Sequence, residues 1–457
     1  MDDGSQGRFS LHFPGVWRDV RAGRDPDRRF GRAPNGFLNV AAGGGGVSGF
    51  RGTCARRHAL AIFAAAVVLA FGAETLAQSG RVAFPEWREA LRPRALARGV
   101  SDATYTSVMR DVKPDTAVLE LVRNQPEFNE NLWQYLNRSV SDWRIEIGKE
   151  KAKEYSALLA RIERDFGVGR SVMLGLWGIE SAYGDPVVQR KHMRPVIPAL
   201  ATLAWGEPRR RQYWEQELID ALRIVERGWS TPDEMRGSWA GAMGHTQWMP
   251  DVWLTIGLDY DGDGRVNPFG RPDDALGATA RYLQRLGRYR RGEPWGYEVR
   301  LPQRFAGGAR SRSYEAWRKA GVIRADGESF ALPNATARLW VPVPGGPAFL
   351  LGPNFDAVRA YNPSMNYTLS IVHLGDRIMG GWPFVQKFPG SEAAPTLAEV
   401  QEIQRRLTDL GFDTDGTDGR VGDATRLAVR AFQRKVGMEP ADGYPGLRLL
   451  ARLREAR

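Results

Sequence analysis

Leu174-Gly175-Leu176-Trp177-Gly178-Ile179-Glu180-Ser181-Ala182-Tyr183-Gly184 sets a single ionisable carboxyl inside one of the most apolar helical patterns of the chain. Met173, Leu176 and Trp177 precede Glu180 by seven, four and three residues. On an α-helix they share its face, the one expected to point inward. Burial disfavours the ionised form of an acid and raises its pKa, which suits a general acid working near neutral pH. Read alone, the pattern also fits a buried Glu satisfied by hydrogen bonds, with no chemistry to perform. The rest of the chain decides between the two.

At 457 residues the chain can hold two or three domains and bury a large core. Its one cysteine, Cys54, lies in an N-terminal leader, so the mature protein is expected to contain no disulfide and no cysteine-based metal site or nucleophile. The net charge is +11, and because the first 80 residues hold ten Arg against six acids, about +7 belongs to the remainder. Such an excess suits an anionic partner. No basic-aromatic cluster or binding motif points to nucleic acid.

Arg56-Arg57-His58 followed by the apolar run Ala59 to Gly72, with Thr75-Leu76-Ala77 as cleavage site, has the layout of a signal peptide over about 56–77, within a leader of 1–79. The apolar run is too short to span a bilayer comfortably, so no stable membrane span is expected. The signal starts more than fifty residues from Met1. Either the start codon is placed too early or the Gly/Arg-rich stretch before the signal is disordered cytoplasmic sequence. No Cys follows the apolar core to carry a lipid.

Residues 82 to about 320 show helical periodicity with short connections, with Trp, Tyr and Phe spread throughout. The fifteen Trp are weak support for a sugar ligand, whose clefts use aromatic faces. Near Arg338-Leu339-Trp340-Val341 the pattern alternates, and Pro344-Gly345-Gly346-Pro347 turns the chain into Ala348-Phe349-Leu350-Leu351, which predicts a small β hairpin. A helix follows Tyr361-Asn362-Pro363, and residues 389–396 read as a linker. The fold class expected is mainly α.

Residues 397–457 form a compact unit. Val400, Ile403, Leu407 and Leu410 mark one amphipathic helix, Thr425, Ala428 and Phe432 a second, and Leu449-Leu450 a third, with Asp418-Gly419 and Asp442-Gly443 as turns. These residues, with Gln401, Gln404 and Gln433 on the helices, resemble the three-helix peptidoglycan-binding domain found at the ends of many cell-wall enzymes.

The central motifs carry a second resemblance. Trp177 to Gly184 and Gly237-Ser238-Trp239-Ala240-Gly241-Ala242-Met243-Gly244-His245-Thr246-Gln247-Trp248-Met249-Pro250 resemble the lytic murein transglycosylase B family, glycoside hydrolase family 103. The likeness runs from Phe84 and Trp87, through Gln125-Pro126-Glu127-Phe128, to Gly292-Glu293-Pro294-Trp295-Gly296, Tyr361-Asn362 and Tyr367, covering most of residues 80–388. Two departures are Trp248, where Phe is common, and His245, at a variable position.

The resemblance implies a lysozyme-like helical catalytic domain. It also implies cleavage of the β-1,4 bond between N-acetylmuramic acid and N-acetylglucosamine without water. The family's single catalytic carboxyl maps onto Glu180, which would protonate the leaving oxygen and then, as carboxylate, take a proton from the C6 hydroxyl of the muramic sugar, closing a 1,6-anhydro ring. Ser238 and Gln247 match polar positions that orient the acid and the acetamido group, and Tyr361 and Tyr367 match aromatic positions lining the cleft. No catalytic cofactor is implied. Peptidoglycan glycan strands are the implied partner and the periplasm of a Gram-negative bacterium the implied location. No protein partner is indicated.

A hydrolytic muramidase needs a second carboxylate across the scissile bond. Asp185 is nearest in sequence, but on a continuing helix it would be rotated about 140° from Glu180. A carboxylate folding in from elsewhere keeps hydrolysis open as an alternative. An inactive wall-binding scaffold is the other, opposed by the joint presence of Glu180, Ser238 and Gln247.

Asp259-Tyr260-Asp261-Gly262-Asp263-Gly264-Arg265 opens like an EF-hand loop, with acids at positions one, three and five, Gly at six and the Arg265 carbonyl at seven. Position twelve is Gly270 rather than Glu. In the resembling family a later Asp closes a longer loop, which points to Asp274, with Asp273 as competitor. The expectation is a structural Ca2+; a solvated Asp/Gly turn is the alternative.

Overall fold

The computed structural model describes residues 82–123, 131–185, 193–303, 305 and 310–456. The leader with its signal and the Gln125–Phe128 motif lie outside the described residues. Helices dominate. The Phe84–Leu96 helix opens the described chain, with the Phe84 and Trp87 rings 5.3 Å apart.

Three helices, Leu132–Ser139, Asp142–Glu154 and Ser156–Phe166, lead into the Glu180 helix, Arg170–Ser181. Gly167, left-handed at φ 71°, ends the helix before it and allows the sharp reversal. Met173, Leu176 and Trp177 are buried together with Glu180, as the shared-face argument requires. The helix is in fact covered nearly all round, from Val172 to Gly178. Its main partner is the Met365–Ile378 helix, capped by Ser364, whose Oγ accepts the Tyr367 N–H. These two helices, with Leu276, Leu283, Phe355 and Val358 from neighbouring elements, make the principal core.

The expected hairpin is present as β6 (Thr336–Trp340) against β7 (Ala348–Leu351), with Trp340 opposite Phe349. It is the centre of something larger, a five-stranded antiparallel sheet in the order β4-β6-β7-β3-β5, where β3 is Gly296–Arg300, β4 Arg312–Ser313 and β5 Ile323–Arg324. Helical periodicity to residue 320 was therefore an over-extension, since the chain enters strands at Gly296. The pairing of β3 with β7 is made between residues some fifty positions apart, and such non-local contacts override local pattern. Val299, Tyr314, Trp317 and Leu350 give this sheet a small core of its own. A short ladder of β1 (Arg194–Pro195) and β2 (Arg236–Gly237) ties the start of the Gly-rich segment back to the helical body.

The C-terminal unit has helices Leu397–Asp409, Asp423–Lys435 and Leu447–Glu455 around Ile403, Leu407, Val429, Phe432, Leu450 and Leu453. Thr396 and Glu399 form a capping box at its start, satisfying two otherwise orphaned amides.

Candidate active site

Glu180 lies in the last turn of its helix and is 2% exposed. Beyond it Ala182 and Tyr183 are both left-handed, at φ 50° and 63°, which breaks the helix and turns the chain away. A helix C-terminus is the negative end of the macrodipole, so position as well as burial disfavours a carboxylate here. Burial pushes the Glu180 pKa up to about 8, against a smaller downward pull from the Tyr367 hydroxyl, which donates to Oε1. Among the described residues, no other charge enters that balance. Glu180 Oε2 has no hydrogen-bond partner among them. A buried oxygen of this kind is costly unless a ligand completes it.

The Gly-rich segment is tied by hydrogen bonds to the helix that carries Glu180. Ser181 Oγ donates to the His245 carbonyl at 2.6 Å, and Trp177 Nε1 donates to His245 Nδ1 at 3.1 Å. The bond from Trp177 makes Nδ1 an acceptor, so the proton sits on Nε2 and is donated to the Gly270 carbonyl at 2.8 Å. Burial lowers the His245 pKa and keeps the ring neutral. The Tyr361 hydroxyl donates to the Thr246 carbonyl, and Trp248 Nε1 to Thr279 Oγ1 at 3.1 Å.

Gln247 sits in the left-handed region at φ 53°, an uncommon conformation for its type. Its Nε2 donates to the Gly244 carbonyl at 2.8 Å, and its buried Oε1 has no partner among the described residues. Strain and an uncommitted acceptor in one side chain mark a position suited to receiving a ligand N–H. Ser238 is fully buried, and its Oγ accepts from the amides of Ala240 at 3.3 Å and Ala242 at 3.1 Å. Its evident work is to shape the base of the segment.

The structure thus joins Tyr367 directly to Glu180 and joins Tyr361 to the residue before Gln247. Sequence reasoning missed the structural parts of Trp177, Ser181, Thr246 and His245. It also missed Arg144, a partly buried guanidinium whose Nε donates to the Gly178 carbonyl at 3.0 Å and holds the final turn of the Glu180 helix. Trp177 and His245, two polar rings in apolar surroundings, were the available signal. Asp185, the candidate second acid, pairs with Arg420 at 2.7 Å.

In the acidic loop Asp259, Asp261 and Asp263 bring one oxygen each within 4.8 Å of one another. Asp274 faces the loop, accepting the Tyr260 and Asn267 amides at 2.6 and 2.8 Å, and Asp261's at 3.3 Å. Asp273 is drawn instead to Arg161 and Arg271. The convergent carboxylates fit a hard cation with oxygen ligands.

Comparison with known proteins agrees with this geometry. The family described as Transglycosylase SLT domain matches residues 83–376, and that described as Putative peptidoglycan binding domain matches 396–453. Membrane-bound lytic murein transglycosylase B of Escherichia coli (strain K12) is 26% identical over 286 residues, 59% of this chain and 76% of the relative. The crystal structure of SltB3 from Pseudomonas aeruginosa in complex with NAG-anhNAM-pentapeptide has a TM-score of 0.63 and 37% identity, covering 81% of this chain and 99% of that one. The Escherichia coli lytic transglycosylase Slt35 in complex with bulgecin A has a TM-score of 0.53 and 25% identity, over 64% of this chain and 92% of that one. With one matched domain spanning more than half its length and a second at its C-terminus, the chain belongs to the lytic murein transglycosylase B family and carries a peptidoglycan-binding domain.

Proposed function

We propose that this protein is a lytic transglycosylase that cleaves the β-1,4 bond between N-acetylmuramic acid and N-acetylglucosamine in peptidoglycan, with Glu180 as its acid and base. The observation that carries the reading is a buried carboxyl with one oxygen held by Tyr367 and the other without a partner among the described residues, its pKa pushed up to about 8 by burial. Protonated Glu180 gives its proton to the leaving glycosidic oxygen. The carboxylate so formed accepts a proton from the muramic C6 hydroxyl as that oxygen attacks C1, and Glu180 returns to its starting state. No carboxylate among the described residues perturbs Glu180, which leaves a hydrolytic pair unsupported. Gln247 Oε1 would accept an acetamido N–H, while Tyr361 and Ser238 hold the segment that presents it. Digestion of purified peptidoglycan tests the reading. Released muropeptides should be lighter by one water than hydrolysis products, and reducing-end products would refute it.

The acid must be protonated at the start of turnover, so activity should fall as pH rises through about 8. Tyr367→Phe removes the one interaction that lowers the Glu180 pKa. The alkaline limb should therefore move to higher pH, and the plateau rate should fall roughly 10-fold, as expected for loss of a bond to a charged group. A pH–rate profile in which the limb stays in place contradicts this assignment.

Asp259, Asp261, Asp263, the Arg265 carbonyl and Asp274 would hold Ca2+, whose part would be to brace the loop. At roughly 100 times its Kd, Ca2+ should stabilise the fold by about 2.7 kcal/mol. Thermal midpoints in Ca2+ and in chelator measure this, and Asp263→Asn should abolish the difference. Equal midpoints for the wild type would leave the loop a solvated turn. The substrate and the signal-like run at 56–77 support a periplasmic location.

A further inference from the structure

The C-terminal domain contains the same device twice. Buried Gln404, 1% exposed, accepts the Gly419 amide at 2.7 Å, and buried Gln433, 2% exposed, accepts the Gly443 amide at 2.8 Å. Both glycines are left-handed, at φ 79° and 81°, and a Cβ would meet Leu397 at 2.2 Å or the Arg426 carbonyl at 2.8 Å. Each Asp-Gly turn is thus pinned from beneath, and the residue after each glycine is presented in a fixed direction.

Both turns point at the catalytic body. From the second, Asp442 Oδ2 accepts from Gln134 Nε2 at 2.6 Å, and the Tyr444 hydroxyl accepts from Asn137 Nδ2 at 2.7 Å, with the Trp133 and Tyr444 rings edge to face at 4.9 Å. From the first, Arg420 donates to Asp185 Oδ2 at 2.7 Å and lies over the Trp143 ring at 4.7 Å. Asp185 closes the turn that follows the Glu180 helix, its amide bonded to the Ser181 carbonyl. Trp143 precedes Arg144, whose guanidinium holds the Gly178 carbonyl. Arg420 therefore bears on both sides of the helix end that carries Glu180.

We propose that Arg420 of the peptidoglycan-binding domain is a positioning residue for Glu180, so that this domain is a fixed part of the catalytic apparatus as well as a wall anchor. The inference rests on the lytic reading above and extends it to the second domain. A tethered anchor would have no use for a partly buried ion pair directed at the catalytic helix.

Kinetics on short, soluble, uncross-linked glycan strands test this in the full-length protein, comparing Arg420→Asp, Asp185→Arg and the double exchange. Each single variant should lose about five- to tenfold in kcat with KM within twofold and the thermal midpoint unchanged, and the double exchange should recover kcat to within twofold of wild type. Undiminished kcat in Arg420→Asp, a double exchange no better than the singles, or a midpoint that falls in step with kcat overturns the positioning role. Absence of cleavage by the wild type overturns the lytic reading and this inference with it, a result seen before any variant is compared.

Discussion

Glu180→Gln is expected to lose about 10²–10⁴-fold in turnover of glycan strands and, at pH 7, to be more stable than the wild type. The first effect follows from removing the only group proposed to donate and accept the proton. The second follows from linkage. The folded-state pKa of about 8 stands above the ordinary 4.5, so between these values the unfolded chain ionises the carboxyl while the folded chain holds it neutral. Stability then falls with rising pH, by up to about 1.4 kcal/mol per unit. Gln carries no charge to desolvate and keeps an oxygen for the Tyr367 hydroxyl. At pH 7 the variant should gain up to about 3 kcal/mol, and below pH 4.5, where both forms are neutral, the advantage should vanish. Denaturation of both proteins at pH 4 and pH 7 measures this. Equal stability at both would show that the carboxyl is not held in its neutral form.

Gly175→Ala is expected to damage stability and activity together. A Cβ at Gly175 would lie 2.0 Å from the Ile371 carbonyl oxygen, and one at Gly375 would lie 2.1 Å from that of Ser171. The two glycines let the helices that carry Glu180 and Tyr367 touch backbone to backbone. Neither obstacle is a side chain that could rotate away, so the helices must separate. Overpacking of this kind costs about 3 kcal/mol, which for a body of this size lowers the melting temperature by roughly 4–5 °C. Separation by about 1 Å would stretch the Tyr367–Glu180 bond, and misplacement on that scale costs on the order of 10²-fold in rate. Calorimetry with an assay at 20 °C below the new midpoint separates the two effects. Wild-type values for both would mean that the contact can slide without cost.

The acid was legible because its signal is local. A carboxyl at helical spacing from Met173, Leu176 and Trp177 announces its own burial. Its partner Tyr367 is 187 residues away, and no spacing rule reaches that far; only the family resemblance pointed there. The His245 bridge was hidden for the same reason, since its partners come from the Glu180 helix and from Gly270. Asp274 was preferred to its sequence neighbour Asp273 only through the longer loop of the resembling family. Which of them faces the loop depends on the Tyr260 and Asn267 amides and on Arg161, and so on tertiary placement. The hairpin at 338–351 was readable from alternation and turn residues. The sheet around it was not, because β3, β4 and β5 owe their pairing to segments distant in the chain.

In the proposed mechanism the substrate's own C6 hydroxyl, and not water, attacks C1 once Glu180 has protonated the leaving oxygen. Digestion of peptidoglycan in water enriched in ¹⁸O, with mass analysis of the muramic ends, tells the two nucleophiles apart. 1,6-Anhydro ends that carry no ¹⁸O are expected. Muramic ends bearing one ¹⁸O atom at C1 would contradict the mechanism and would require a second catalytic carboxylate to activate the water.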